Sequence, residues 1–404
     1  MRELAIVKDG AMLIADGKVE RTGTTDRLWA LLAQEKHLPI LDAQGCVVTP
    51  GFVDAHTHMV FAGSRVAEFE QRIEGKTYQQ IAAAGGGIAT TVRSTRNATA
   101  EDLLTGAVRH AEWFLRNGTT TVEAKSGYGL SVDGELKILE VIRSLAERTP
   151  LRIAATLLAA HTIPPEFQHD RAGYIGLVVR EILPKVQEGG LAKFCDAFCD
   201  EHAFTIAESR EILSAAKGAG LGLRLHAEQF AADGGAALAA ELGAVTADHL
   251  ECTDADGIAA LASASVQPVL VPASVFCLGG ERYANARAMM NAGLAVVLAT
   301  DFNPGSSPTT SMPFVMSLAC QQMKMLPSEA LTAATINAAW SLGFGDIVGS
   351  LEPGKAADFL IHEFHDYREL AYFAAVPNLP QVFVAGKRVE TCSPSTAAFT
   401  DGAV

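Results

Sequence analysis

The sequence predicts an α/β protein: a (β/α)8 TIM barrel with a small β-sandwich domain formed by the N- and C-terminal segments. Three observations carry this expectation. Between residues 46 and 302, short apolar runs rich in β-branched residues alternate with longer stretches of helical period, the pattern of βα units feeding a parallel sheet. Both ends of the chain read instead as short strands and tight turns. Histidines and an aspartate gather at the C-terminal ends of the apolar runs, the face on which this fold builds its sites.

Taken in order, the chain opens with the apolar runs Leu4–Val7 and Ala11–Ile14, punctuated by Asp9-Gly10 and Asp16-Gly17. Asp-Gly between apolar runs is a hairpin signal. The barrel strands are then expected at 46–56, 119–126, 151–160, 192–199, 221–227, 244–250, 266–273 and 294–302. Helices are expected at 101–117, stopped by Gly118, and at 135–148, stopped before Pro150. Others are expected at 205–217, 233–242, 281–292 and 328–342. After Leu351-Glu352-Pro353-Gly354-Lys355, Ala357–Ile361 and Gln381–Val389 return to strand character, the latter with a Gly386-Lys387 turn. The expected division is a composite β domain of residues 1–50 and 352–404 around a barrel of residues 51–351. A doubly wound sheet is the alternative, but it wants a Gly-rich phosphate turn after its first strand. Gly85-Gly86-Gly87 follows no strand and has no Lys-Ser/Thr after it, so it reads as an interruption between helices.

Composition narrows the function. The chain has 404 residues, 49% of them hydrophobic and 19% charged, which suits one large core with a smaller appended unit. A formal net charge of −14 argues against nucleic acid or an anionic membrane surface as partner. It leaves room for a small anionic substrate, because a local arginine overrides the global field. No stretch approaches the ~20 uncharged apolar residues of a membrane span. The first ten residues carry Arg2, Glu3, Lys8 and Asp9 and do not resemble a signal peptide. Seven cysteines without a Cys-x-x-Cys pair read as free thiols of a reducing cytoplasm.

The chemistry lies at the strand ends. The first run leads into His56-Thr57-His58, the third into His161, the fifth into His226, the sixth into His249 and the eighth into Asp301. Two histidines two residues apart on a strand face the same side. Imidazoles plus a carboxylate, with a position left open, are the ligand set of a catalytic metal. Singly, each histidine reads as a hydrogen-bonded residue of the barrel mouth, and Asp301 as a helix cap. Their shared position favours the metal.

The segment Pro50-Gly51-Phe52-Val53-Asp54-Ala55-His56-Thr57-His58, followed by His226, His249 and Asp301 after later strands, is similar to the amidohydrolase superfamily. Phe61-Ala62-Gly63-Ser64-Arg65, Lys125–Leu130 (KSGYGL), Ala244–Glu251 (AVTADHLE) and Ala299–Pro308 (ATDFNPGSSP) resemble, more narrowly, its imidazolonepropionase family of histidine degradation. The resemblance covers about residues 48 to 356. It implies hydrolysis of the ring amide C–N bond of 4-imidazolone-5-propanoate to N-formimidoyl-L-glutamate. It implies one divalent metal per chain, zinc or iron, held by His56, His58, His226 and Asp301 and lowering the pKa of a water. It also implies catalytic roles for His249 and Asp301, and an Arg65 fork on the substrate carboxylate. Tyr128, His161, Gln229, Asn303, Gly305 and Ser306 match substrate-contacting positions. A homodimer is usual in the family. Taken alone, Arg65 reads as a surface salt bridge, Tyr128 as an anchor on the barrel rim, and Asn303 and Ser306 as caps of the next helix.

Two departures matter. Some single-metal relatives carry a Glu three residues after the strand-five histidine; here Gln229 stands there and cannot be a base. Glu228, on a continuing strand, would point the other way. The proton work is therefore expected of Asp301 and His249. Binuclear relatives use a modified lysine after strand four; run four ends Cys199-Asp200-Glu201, Lys193 lies at its wrong end and Lys125 on the wrong strand, so one metal is expected. Two other readings compete. Another amidohydrolase, a nucleobase deaminase or a different cyclic amide hydrolase, would share the metal set; a neutral nucleobase would not need Arg65. A barrel that has lost catalysis would lack ligands, and none is missing.

Overall fold

A computed structural model of the chain describes residues 3–32, 38–76, 80–81, 85–200, 203–374, 376 and 379–390. Glu201 and the end of the C-terminal segment, 391–404, lie outside the described residues. The first sheet is a hairpin of β1 (Gly10–Ala15) and β2 (Lys18–Thr24). Its turn is Asp16-Gly17, both with positive φ, the geometry that matches the twist of two paired strands. Asp9-Gly10 makes no such hairpin, and Leu4–Val7 is not a strand. β3 is Val48–Pro50.

The barrel strands follow in chain order and all pair in parallel. They are β4 (Phe52–Asp54), β5 (Thr119–Lys125), β6 (Arg152–Ala160), β7 (Phe194–Cys199), β8 (Gly222–Ala227), β9 (Thr246–His249), β10 (Gln267–Leu270) and β11 (Val297–Leu298). β11 meets β4 through residues beyond both strands: Asp301 N–H donates to His56 O (3.0 Å) and His58 N–H to Phe302 O (2.8 Å).

The run 46–56 is two strands, not one. β3 belongs to an antiparallel sheet of order β14-β13-β12-β3, with β12 (Phe359–Ile361), β13 (Gln381–Val384) and β14 (Lys387–Arg388). The chain crosses from that sheet into the barrel at Gly51, where a Cβ would fall 2.2 Å from Thr120 Oγ1. No larger residue lets β4 approach β5 this closely. The last hairpin turns at Ala385-Gly386, one residue before the expected Gly-Lys pair. Val19 of the first hairpin packs with Phe359 and Phe383, which joins the two terminal segments by apolar burial.

Helices cover the outside. Thr99 and Asp102 form a capping box at the start of Ala100–Arg116, and Thr205 and Glu208 do the same for Ile206–Gly218. On the first of these, Leu103, Leu104, Ala107, Ala111 and Phe114 repeat at helical spacing and are buried against the barrel. The expected helix 328–342 is two, Pro327–Ala333 and Ile336–Ser341, because Thr335 leaves helical dihedrals (φ −131, ψ −96). The helix expected at 281–292 shortens to Ala286–Asn291. Gly87, at φ 68, begins the helix Ile88–Asn97. Among the described residues, no helix is long and apolar enough to cross a membrane.

Alternation along the strands splits the barrel into two environments. Val122 and Ala124 of β5, Cys195 and Ala197 of β7, and Leu223 and Leu225 of β8 pack in the main apolar core. Their neighbours Glu123, Lys125, Asp196 and Arg224 are fully buried on the opposite face.

Candidate metal centre and substrate loops

His56, His58, His226, His249 and Asp301 all stand at the C-terminal end of the barrel and are buried. Three strand ends there leave ordinary backbone geometry. Glu228, His249, Leu250 and Asp301 have positive φ (55, 78, 67 and 54), uncommon for residues other than glycine and associated with functional sites. Each turns the chain out of its strand beside His226, His249 or Asp301. Glu228 therefore does not continue β8. Its Oε1 accepts from Gly234 N–H and Ala236 N–H (3.2 Å each) at the start of the helix Gly235–Leu242, away from the histidines.

The donor atoms form two triads that share His56: His56, His58 and Asp301, and His56, His226 and His249. In the first, the two Nε2 atoms are 3.3 Å apart. Asp301 Oδ1 is 3.5 Å from His56 Nε2 and 3.4 Å from His58 Nε2. A tetrahedral ion about 2.1 Å from each donor spaces the donors about 3.4 Å apart. The triangle thus has the edge lengths that a small divalent ion requires. The Nδ1 atoms of His56 and His226 are turned to carboxylates, which is how ligating histidines are oriented, whereas His58 Nδ1 has no hydrogen-bond partner among the described residues. His56 Nδ1 is 2.6 Å from Asp248 Oδ2, and His226 Nδ1 is 3.0 Å from Asp196 Oδ2.

Electrostatics separates the imidazoles. Burial pushes His56 and His161 well below the ordinary histidine range. It lowers His226 as well, although Asp196 opposes the shift. These shifts favour the neutral rings, which carry a lone pair. His249 differs. Burial works against its charge, but Glu251, with Oε1 3.5 Å from Nδ1, and then Asp301 and Asp248 raise it to about 9. Burial would raise Asp301, yet His58, His249 and His226 hold it below the usual carboxylate value, so it stays ionised.

The loops above the strands place the remaining residues. Arg65 heads the helix Val66–Ile73, and its Nε donates to Glu68 Oε2 at 2.7 Å. Its guanidinium lies over Gly305, where a Cβ would fall 2.1 Å from Nη1. The salt bridge expected of an ordinary arginine is thus present, and it aims the fork at the loop after Asp301. Asn303 does not cap the next helix; Ser311 does, for Met312–Met323. Asn303 Oδ1 instead accepts from Gly305 N–H (2.8 Å) and Ser306 N–H (2.7 Å), while its amide donates to Asp301 O (2.6 Å) and Ser306 Oγ (2.9 Å). The Tyr128 ring is 6.0 Å from that of His58 and 5.4 Å from that of His161. His161 stacks on His58 at 5.1 Å, with Nδ1 3.0 Å from Gly127 O. Gln229, half-buried after β8, receives Cys252 Sγ on its backbone oxygen.

A model of the amidohydrolase family matches residues 47–389. An imidazolonepropionase from Solibacter usitatus (strain Ellin6076) is 58% identical over 389 residues, 96% of this chain and 93% of that protein. One from Geobacillus kaustophilus (strain HTA426) is 45% identical over 390 residues, covering 96% and 92%. The chain belongs to the imidazolonepropionase family of the amidohydrolases.

Imidazolonepropionases are hydrolases of a cyclic amide, and this chain is one by descent. Solved structures extend the fold much further. The 5-methylcytosine deaminase of Klebsiella pneumoniae liganded with 5-fluorocytosine superposes with a TM-score of 0.73 at 16% identity, covering 95% of this chain and 94% of that one. The guanine deaminase of E. coli gives 0.70 at 18%, covering 94% and 92%. At such identities only the architecture is shared. Around its histidines this chain also carries residues to which its sequence alone gave no role: Glu123, Asp196, Arg224 and Asp248 on the inner barrel face, Lys125 among them, and Glu68 behind Arg65. Charged residues inside otherwise apolar runs were the available signal.

Proposed function

We propose that this protein hydrolyses the ring amide C–N bond of 4-imidazolone-5-propanoate to N-formimidoyl-L-glutamate, with one divalent ion held by His56, His58, His226 and Asp301. The observation that carries the substrate is the Arg65 guanidinium seated over Gly305, on the loop that leaves the ligand Asp301. A bidentate fork at that place suits a propionate carboxylate.

The neutral rings His56 and His226 suit ligation, whereas a His249 raised to about 9 has no lone pair to offer near neutrality. That difference supports His226, rather than His249, as a ligand of the ion. Zinc and iron both suit nitrogen and carboxylate donors. Bound there, a divalent ion supplies Lewis acidity that brings the deprotonation of water toward neutral pH.

The chain's own groups divide the remaining work. Asp301, ionised, accepts the proton of the attacking water. His249, protonated and buried, donates to the carbonyl oxygen as charge develops on it. The C–N bond then breaks, the ring nitrogen leaves with the proton that Asp301 took from the water, and the new carboxyl group returns its proton to His249. Arg65 holds the carboxylate; Tyr128, His161, Gln229, Asn303, Gly305 and Ser306 shape the ring site. The reading includes a homodimer and a cytoplasmic location, as family membership suggests. It also treats residues 1–50 with 352–404 as one β domain around a barrel of 51–351, supported by the pairing of β3 with β12.

The test is a coupled assay in which urocanase makes the unstable substrate from urocanate, alongside elemental analysis of the protein. Consumption of the imidazolone with one equivalent of metal per chain supports the reading. No consumption, or two equivalents, overturns it.

A further inference from the structure

Beneath the metal centre lies a buried cation that no step of the reaction uses. Lys125 is completely buried at the C-terminal end of β5. Its Nζ donates to Glu123 Oε1 at 2.8 Å and to Asp196 Oδ2 at 2.7 Å, and it lies 3.8 Å from Asp248 Oδ2. Each of these carboxylates also grips a different part of the proposed ligand set. Glu123 Oε2 accepts the N–H of Thr57 at 3.1 Å, between the two histidines of the first loop. Asp196 Oδ1 accepts the backbone N–H of His226 at 3.2 Å, and its Oδ2 faces His226 Nδ1 at 3.0 Å. Asp248 Oδ2 faces His56 Nδ1 at 2.6 Å.

We propose that Lys125 is the positioning residue of the metal centre, its ammonium fixing three carboxylates that set the His56–Thr57–His58 turn and the rings of His56 and His226. The inference rests on the ligand reading above. Its physical basis is repulsion. Three carboxylates converge in a buried interior, and among the described residues the cations that stand against them are Lys125 and Arg224; Arg224 Nη2 reaches Asp248 at 3.3 Å, and Arg224 Nε lies 3.9 Å from Glu123. Removing the ammonium leaves Glu123 and Asp196 facing each other without a cation between them. Glu123 or Asp196 then turns away or takes up a proton, and either change loosens what it holds: the Thr57 N–H between the two histidines, or His226. A buried charge cluster of this kind is weak evidence for stability, since apolar residues of similar volume commonly serve as well. Orientation of ligands accounts for its presence better than cohesion does.

The experiment is a zinc dissociation constant, measured by chelator competition on the full-length apo-protein, with the visible spectrum of the cobalt form as a second readout. Lys125→Met is expected to weaken zinc by ~10- to 100-fold, the range for loss of an outer partner, and to alter the cobalt spectrum. A variant that melts at lower temperature yet binds zinc with the wild-type constant and spectrum overturns the proposal. Should Lys125→Met not fold, Asp196→Asn keeps the shape of the site and is expected to show the same weakening; wild-type affinity there also overturns it. His226→Ala separates the two layers. If it loses zinc while Lys125→Met does not, the role of Lys125 alone fails. If it keeps zinc, the ligand reading fails first.

Discussion

The Arg65 guanidinium occupies the space that a side chain at position 305 would fill: a Cβ on Gly305 would stand 2.1 Å from Nη1. The glycine is there for the arginine, and its backbone is held in turn by Asn303 Oδ1. Gly305→Ala should therefore displace the fork without touching the ligands. The expected result is a KM raised ~10-fold with kcat changed far less, the mark of lost substrate binding. Steady-state kinetics of the variant decides it, and an unchanged KM would remove Arg65 from the carboxylate site.

Arg65→Lys should not be conservative. A lysine keeps the charge but loses the planar fork and the Nε donor that Glu68 Oε2 accepts at 2.7 Å. A loss of ~10- to 100-fold in kcat/KM is expected. Glu68→Gln, which keeps the shape but weakens that hold, should show a smaller rise in KM. Equal activity for Arg65→Lys and wild type would count against bidentate recognition.

Removing His249 tests its catalytic role directly. His249→Ala is expected to lower kcat by ~10²-fold or more. The pH profile tests its charge. Glu251 is the main group that raises His249, against burial, to about 9. If the protonated ring is the working form, activity holds below that value and falls as pH rises through it. Glu251→Gln removes the raising charge, so the alkaline limb of kcat/KM should move toward neutral pH. A limb that stays in place would show that another group controls it.

His362 makes a stability prediction. Burial lowers its pKa to about 4, and its Nε2 contacts Thr49 Oγ1 at 2.9 Å, joining β12's end to β3. Above the unfolded value of roughly 6.5 both states are neutral and the residue adds no pH dependence. As pH falls from there to about 4 the unfolded chain takes the proton first, so stability is lost, in all about 3 kcal/mol. His362→Gln keeps a polar partner for Thr49 and cannot titrate. Urea unfolding at pH 7.5 and pH 5 should show a smaller acid loss for the variant than for the wild type, and equal losses would clear His362.

Much of this molecule is legible in its sequence for physical reasons. The barrel strands carry their apolar outer face in plain view, and ligands at the strand ends stand out because polar residues interrupt those runs. The break at Gly51 is not legible. It depends on how near Thr120 lies in space, and β-branched residues on both sides read as one strand. The inner network was hidden differently. Glu123, Lys125, Asp196, Arg224 and Asp248 sit within the apolar runs themselves, where a charge reads as the solvent face of a half-exposed strand. Only closure of the sheet turns that face inward. The alternative of Asn303 as a helix cap was open because its hydrogen-bonding chemistry is the same in a tight loop; Ser311, eight residues on, holds the cap.

The barrel's ring of strands is completed by two backbone hydrogen bonds, Asp301 N–H to His56 O and His58 N–H to Phe302 O. Those bonds flank the proposed ligands, with His56 and His58 on one side of the junction and Asp301 on the other. The proposed ion would bridge this junction from both sides, so extracting it is expected to loosen the contact between the first and last strands as well as to stop the reaction.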